Sequence, residues 1–185
     1  ERARLVEVEP APIAAASVAQ VHEARLDSGE RVALKVQRPE ARAQIERDLA
    51  ILGVGARMLD VIPSFHLLAL PGAVERFGDA LANQLDFRLE AANNRRLGEN
   101  FAGVKGVRVP DLYEELCTER LLVMEFIDGT KATHPERVKE RKARRRLAAR
   151  GGEAILKMVF EDGFVHADMH PGNILLQDDG TLVFI

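Results

Sequence analysis

His166-Ala167-Asp168-Met169-His170-Pro171-Gly172-Asn173 sets an acid and an amide five residues apart, with a Pro-Gly pair between them to fold one back toward the other. That pairing has a specific chemical use. A carboxylate at Asp168 can orient or deprotonate an attacking hydroxyl, and the amide oxygen of Asn173 is a hard donor of the kind magnesium prefers. Phosphoryl transfer involves little covalent chemistry by the protein, so catalysis comes from positioning the nucleophile and holding metal-bound phosphates.

Far upstream, Val32-Ala33-Leu34-Lys35 places a lysine in an apolar strand, where it can serve as a point charge for phosphate oxygens. Together the two stretches point to an ATP site of the protein-kinase type, with magnesium as the metal. A lysine in a strand can equally snorkel to the surface, and the Asp168/Asn173 pair argues against that.

The elements between them follow in an order that supports the same conclusion. Ala19 to Arg25 and Arg31 to Gln37 read as two strands around the turn Asp27-Ser28-Gly29-Glu30. Helical spacing runs from Glu40 to about Leu59, with a bend or break at Gly53-x-Gly55, and one longer helix is predicted from about Ala73 to Glu99. Val107 to Val109 and Leu121 to Phe126 read as strands. The segment from Pro135 to Asp162 is helical but interrupted at Gly151-Gly152, and Ile174 to Leu176 and Leu182 to Ile185 flank the turn Asp178-Asp179-Gly180. The fold class is therefore α+β, a bilobal protein-kinase-like fold with an N-lobe sheet plus helices and only the start of a C-lobe. The lobe boundary falls at 127/128, giving domains 1–127 and 128–185. In that arrangement Leu122-Val123-Met124-Glu125-Phe126 connects the lobes, and Met124, Glu125 and Ile127 are candidates for contact with the adenine. Without a ligand the same stretch is simply a buried strand.

Composition narrows the class without choosing a function. The 185 residues, 46% hydrophobic, can bury a core, and the net charge of −3 gives no overall pull toward nucleic acid or membrane. A single cysteine, Cys117, rules out an internal disulfide framework and fits a reducing compartment. No apolar run approaches the roughly 20 residues of a membrane-spanning helix, and Glu1-Arg2-Ala3-Arg4 does not begin a signal peptide. Both ends read as cuts rather than natural boundaries.

Four blocks carry a family resemblance: Pro12 to His22, Val32 to Pro39, Leu85 to Asn93 and Gly163 to Asn173. In this order, across nearly the whole chain, they resemble the UbiB family of atypical kinase-like ATPases. The resemblance implies a protein-kinase-like fold, ATP and Mg2+ as cofactors, and a role in the biosynthesis or distribution of ubiquinone or another isoprenoid quinone. It implies that Lys35 contacts the nucleotide phosphates. It also implies that the alanine-rich Ala14-Ala15-Ala16-Ser17 stands where ordinary kinases carry a glycine-rich phosphate loop, a form thought in the family to restrain protein-kinase activity. Read alone, an alanine run is more often helix.

The acidic partner of Lys35 stays open at this stage. Gln84 occupies the position where the family commonly has its first Glu, and a neutral amide cannot form the ion pair, so either Glu90 is the partner or the pairing is weak. Glu46 is a bystander candidate, and Asp86 with Arg88 can form a local pair on a solvated helix face. His166 and His170 suggest a metal site only superficially, since zinc needs about four ligands and no Cys/His cluster supplies the rest. His166 is expected to brace the catalytic loop through a backbone hydrogen bond. In kinases the strand after that loop delivers a second metal-binding Asp. Leu182 to Ile185 should precede it, so the fragment is expected to be inert even if its parent is active.

From His134 to Arg150 eight Lys or Arg face two Glu. The plain reading is a solvated helix; the sharper one is attraction of residues 137–150 to an anionic membrane surface. Nucleic acid is disfavoured by the lack of an aromatic platform. Three functions compete. One is a UbiB-type ATPase or phosphotransferase, peripheral to the inner membrane on its cytoplasmic side, acting with a lipid, quinone-pathway substrate or protein complex. The second is a nucleotide-sensing pseudokinase module, kept open by Gln84. The third is a small-molecule phosphotransferase of the aminoglycoside-kinase kind, against which the alanine-rich loop and Val36-Gln37-Arg38-Pro39 argue.

Overall fold

Two-residue alternation in the first forty residues builds most of the first sheet. β3 (Ala19–Leu26) and β4 (Arg31–Gln37) form an antiparallel hairpin in which Ala19 faces Gln37 and Val21 faces Lys35. Gly29 takes φ 91° in its turn, a conformation that favours glycine. Side-chain alternation puts Val32 and Leu34 on one face of β4 and Lys35 and Gln37 on the other. The sheet order is β1-β3-β4-β6, with β1 (Leu5–Val8) at one edge, β6 (Leu121–Glu125) at the other, and the short β2 (Ala14–Ala15) also paired with β3. The computed structural model describes residues 4–66, 68–138, 140–166 and 169–185.

Helix α1 (Ala41–Asp60) runs unbroken through Gly53 and Gly55. It packs on α3 (Leu70–Gln84), where Gly78 brings the backbones close enough that an added Cβ would lie 3.3 Å from Leu49. The four-residue α2 (Pro63–His66) lies between them in sequence. The single helix expected from Ala73 to Glu99 is in fact two, α3 and α4 (Phe87–Asn100). Leu85 and Phe87, 2% and 1% exposed, both turn inward at the break, which a continuous helix would not allow. Asp86 then caps the second helix, its Oδ1 accepting the Arg88 N–H at 3.0 Å.

A second sheet has the order β5-β9-β8-β7, formed by β5 (Val107–Arg108), β7 (Thr130–Lys131), β8 (Ile174–Leu176) and β9 (Leu182–Phe184). The interruption expected at Gly151-Gly152 does not occur: α5 (Arg141–Phe160) is continuous. Its inward residues Leu147, Ala154 and Met158 recur at helical spacing, and Gly151 lets the backbone approach β9, with Leu182 Cδ1 3.6 Å from where a Cβ would sit. That burial outweighs the roughly 1 kcal/mol each glycine costs a helix relative to alanine. Leu97, Phe101, Val107, Val109, Ala154, Met158 and Phe184 form the core here, with the Phe101 and Phe184 rings 5.8 Å apart.

The chain divides into two compact units, Glu1–Glu90 with Glu114–Val123, and Ala91–Tyr113 with Met124–Ile185. Residues 91–113 thus belong with the second unit, whereas a single cut at 127/128 assigns them to the first. Among the described residues no helix is long and apolar enough to cross a membrane.

Candidate functional site

Lys35 sits two residues from the end of β4, and its ammonium donates to both carboxylate oxygens of Glu90, at 2.6 and 2.8 Å. Glu90 lies one turn into α4, so the pair bridges sheet and helix within the first unit. This resolves the partner left open by the sequence, since Gln84 and Glu46 are both exposed. Lys35 also lies 5.1 Å from the centre of the Phe87 ring, which lies buried beside it. Neither Phe87 nor Gln37 was singled out from the sequence. The available signals were the inward apolar pair around Asp86 and the two-residue spacing that puts Gln37 on the face of Lys35.

Phe87 is fixed by its backbone as well, its N–H donating to the Glu119 carbonyl at 3.0 Å. The Glu119 side chain in turn pairs with Arg42 of α1. Asp86 accepts from the Arg88 guanidinium at 2.9 and 2.7 Å, the local pair anticipated on this helix, and that contact chiefly holds its carboxyl below the usual carboxylate range.

The alanine-rich segment is strand and turn, not helix. Ala14 and Ala15 pair with Val21 and Gln20 of β3, and the Ala16 N–H donates to the Ala19 carbonyl at 2.9 Å. Arg38 reaches across to donate through Nε to the Ala16 carbonyl at 3.1 Å. Ala14, Ala15, Ala16 and Ser17 are all exposed, and none of them takes a positive φ. The loop therefore asks nothing of its backbone that alanine forbids.

Met124, Glu125 and Ile127 are half-buried at and just beyond the end of β6, in the second unit. Met124 forms an antiparallel bridge with Leu112. The Glu125 carboxylate is held by Arg108, and its N–H donates to the Asp111 carbonyl at 2.8 Å. That amide is committed within the protein and is not the one to meet an adenine edge.

Asp168 falls outside the described residues. Around it, His170 Nδ1 accepts the Gly172 N–H at 3.0 Å and caps the short turn Pro171–Asn173. A Cβ on Gly172 would sit 3.0 Å from that same nitrogen, so a larger residue there would press on the His170 ring that makes the cap. Asn173 donates its N–H to the His170 carbonyl at 2.8 Å and accepts the Ile185 N–H at 2.9 Å, which ties the loop to the end of β9. His166 Nδ1 is buried without a hydrogen-bond partner, so the backbone brace expected of His166 is not made by that nitrogen.

A family model, the ABC1 atypical kinase-like domain, matches residues 2–185. Among curated proteins, "Probable protein kinase UbiB" of Aliivibrio fischeri is 39% identical over 171 residues, 91% of this chain and 31% of that protein. Its counterpart from Pseudomonas aeruginosa is 41% identical over 167 residues, 89% and 31% of the two chains. "AarF domain-containing protein kinase 1" of Xenopus tropicalis is 38% identical over 181 residues, 96% and 34%. The chain thus spans about a third of the length of these relatives. The solved complex of Rv3197 with erythromycin from Mycobacterium tuberculosis superposes with TM-score 0.83 at 26% identity, over 98% of this chain and 46% of that one. The fold is kinase-like, in a mixed α+β arrangement.

Proposed function

This chain belongs to the ABC1 atypical kinase-like family, and we propose that it forms the nucleotide-binding part of an ATP-dependent phosphotransferase or ATPase of the UbiB type. The observation that carries this reading is the Lys35–Glu90 pair, a strand lysine held by a helix carboxylate, which supports assigning Lys35 as the cation that contacts the phosphates. Asp168 is assigned the orientation of the attacking oxygen. The side-chain oxygen of Asn173 suits magnesium, whose charge would neutralise that building on the transferred phosphate. Ala14, Ala15, Ala16 and Ser17 are assigned to the phosphate loop, and Met124, Glu125 and Ile127 to the adenine end.

The biological setting proposed is isoprenoid quinone biosynthesis or transport, from the likeness to proteins named UbiB. Arg141, Lys142, Arg145 and Arg146, all exposed at the start of α5, are proposed to meet an anionic membrane surface on its cytoplasmic side. A second reading, a nucleotide-gated binding module without turnover, is favoured by the alanine loop, whose β-pairing and methyl groups limit how closely its backbone can approach phosphate.

The deciding experiment is ATP hydrolysis by the full-length gene product with magnesium and anionic liposomes, beside Asp168→Asn. Turnover lost in the variant supports the enzyme. Nucleotide binding without turnover in either protein leaves the binding module.

A further inference from the structure

Gln37 is the buried polar residue of the core among the described residues, 6% exposed. A buried amide is unfavourable unless its groups are bonded, so its partners account for its presence. Nε2 donates to the Leu85 carbonyl at 2.8 Å, and the backbone N–H donates to the Arg120 carbonyl of the neighbouring segment at 3.0 Å. Leu85 is the residue on which α3 ends, where helix carbonyls lack partners within the helix. One residue later Asp86 caps α4, and Glu90 follows a turn further on.

These contacts close a ring. Lys35 and Gln37 stand on one face of one strand; Gln37 grips the turn before α4, and Lys35 grips the first turn of α4 itself. The Phe87 N–H on the Glu119 carbonyl also holds this turn, and Glu119 is itself paired with Arg42. Glu90 therefore arrives opposite Lys35 because the turn ahead of it is anchored.

We infer that Gln37 is a positioning residue, whose side-chain amide fixes the α3–α4 turn to β4 and so keeps the Lys35–Glu90 pair formed before any nucleotide arrives. The consequence for ATP rests on the nucleotide-site reading above; the consequence for the pair does not. An apolar residue of the same shape would fill the space and leave the Leu85 carbonyl unbonded, and a helix start freed of one anchor would meet Lys35 less often.

The test is Gln37→Met, which preserves length and volume but cannot donate, with Gln37→Leu as a second apolar variant that cannot donate either. In the full-length protein, the 15Nζ resonance of Lys35, assigned with Lys35→Arg, reports the ion pair directly, and Glu90→Gln defines its appearance without a partner. The expected result is a Lys35 signal shifted toward the Glu90→Gln position in both Gln37 variants, with Mg-ATP affinity about tenfold weaker, the change that one lost hydrogen bond commonly produces. Adding either Gln37 variant to Glu90→Gln should then weaken affinity little further, because both act on one pair. A Lys35 signal unchanged in either folded variant overturns the inference, as do losses that simply add. Wild type that shows the paired Lys35 signal yet does not bind Mg-ATP defeats the nucleotide-site reading, and the inference is then decided by the signal alone.

Discussion

The Lys35 ammonium reaches both oxygens of Glu90, across 55 residues of sequence, while the buried face of Phe87 lies 5.1 Å beneath it. Because the carboxylate engages a single ammonium with two short hydrogen bonds, removing either partner leaves the other charge without its counterpart. Glu90→Gln in the full-length protein is expected to weaken Mg-ATP binding by about ten- to a hundredfold, the range for a lost charge-assisted hydrogen bond. Lys35→Ala is expected to weaken it at least as much, and calorimetric titration checks both.

Phe87 is expected to matter for stability first. Truncating a fully buried aromatic to alanine costs about 3–5 kcal/mol, so Phe87→Ala should markedly lower the urea midpoint, whereas Phe87→Leu, closer in volume, should cost less. Equal losses in the two variants would mean that the ring's face toward Lys35, rather than its volume, sets the effect.

Ala69 is the non-glycine residue with positive φ among the described residues, at φ 46° and ψ 45° just ahead of α3. The left-handed conformation costs an L-residue about 1–2 kcal/mol, which glycine avoids. Ala69→Gly is therefore expected to stabilise the fold by up to about 1 kcal/mol, after the extra freedom glycine gives the unfolded chain. Differential scanning calorimetry would register the change as a higher Tm.

Gly106 is a substitution of the opposite sign. Its φ is 79°, and an added Cβ would collide with the Arg150 guanidinium, which bonds the Gly180 carbonyl. Gly106→Ala must displace that guanidinium and strain the backbone, and a loss of about 1–3 kcal/mol in chemical denaturation is expected.

Acid should expose two carboxylates. The Arg88 side chain holds Asp86 below its ordinary value of 3.8, and the Thr181 N–H, at 2.8 Å, does the same for Asp179. A carboxyl lowered in the folded state binds fewer protons there than in the unfolded chain. Its contribution is then fully present above the ordinary carboxylate range and is lost as pH falls through the lowered folded value. The urea midpoint should hold near neutrality and decline below about pH 4, and Asp179→Asn should make that decline shallower.

The sequence made the hairpin of β3 and β4 legible because alternation and the Ser28-Gly29 turn agree, and it placed Lys35 on the strand. It also offered Glu90 as a partner without deciding for it. The choice depends on where α4 starts, and helical periodicity runs straight through Leu85-Asp86-Phe87. Beside the local Asp86 cap, the contacts of Gln37 and Glu119 with that turn, 48 and 32 residues away from Leu85 and Phe87, hold the break. The glycine pair in α5 misled for a related reason, because a local cost was weighed without the β9 surface that offsets it.

The chain passes between its two units three times, after Glu90, after Tyr113 and after Val123. Neither unit can therefore be excised from the gene as one uninterrupted piece. A truncation ending at Glu90 would lose Glu119, the anchor of Phe87 and Arg42, and would leave β4 with an open edge where β6 belongs. Recombination at any point between Lys35 and Phe184 therefore divides the scaffold around Lys35 or the core around Phe101.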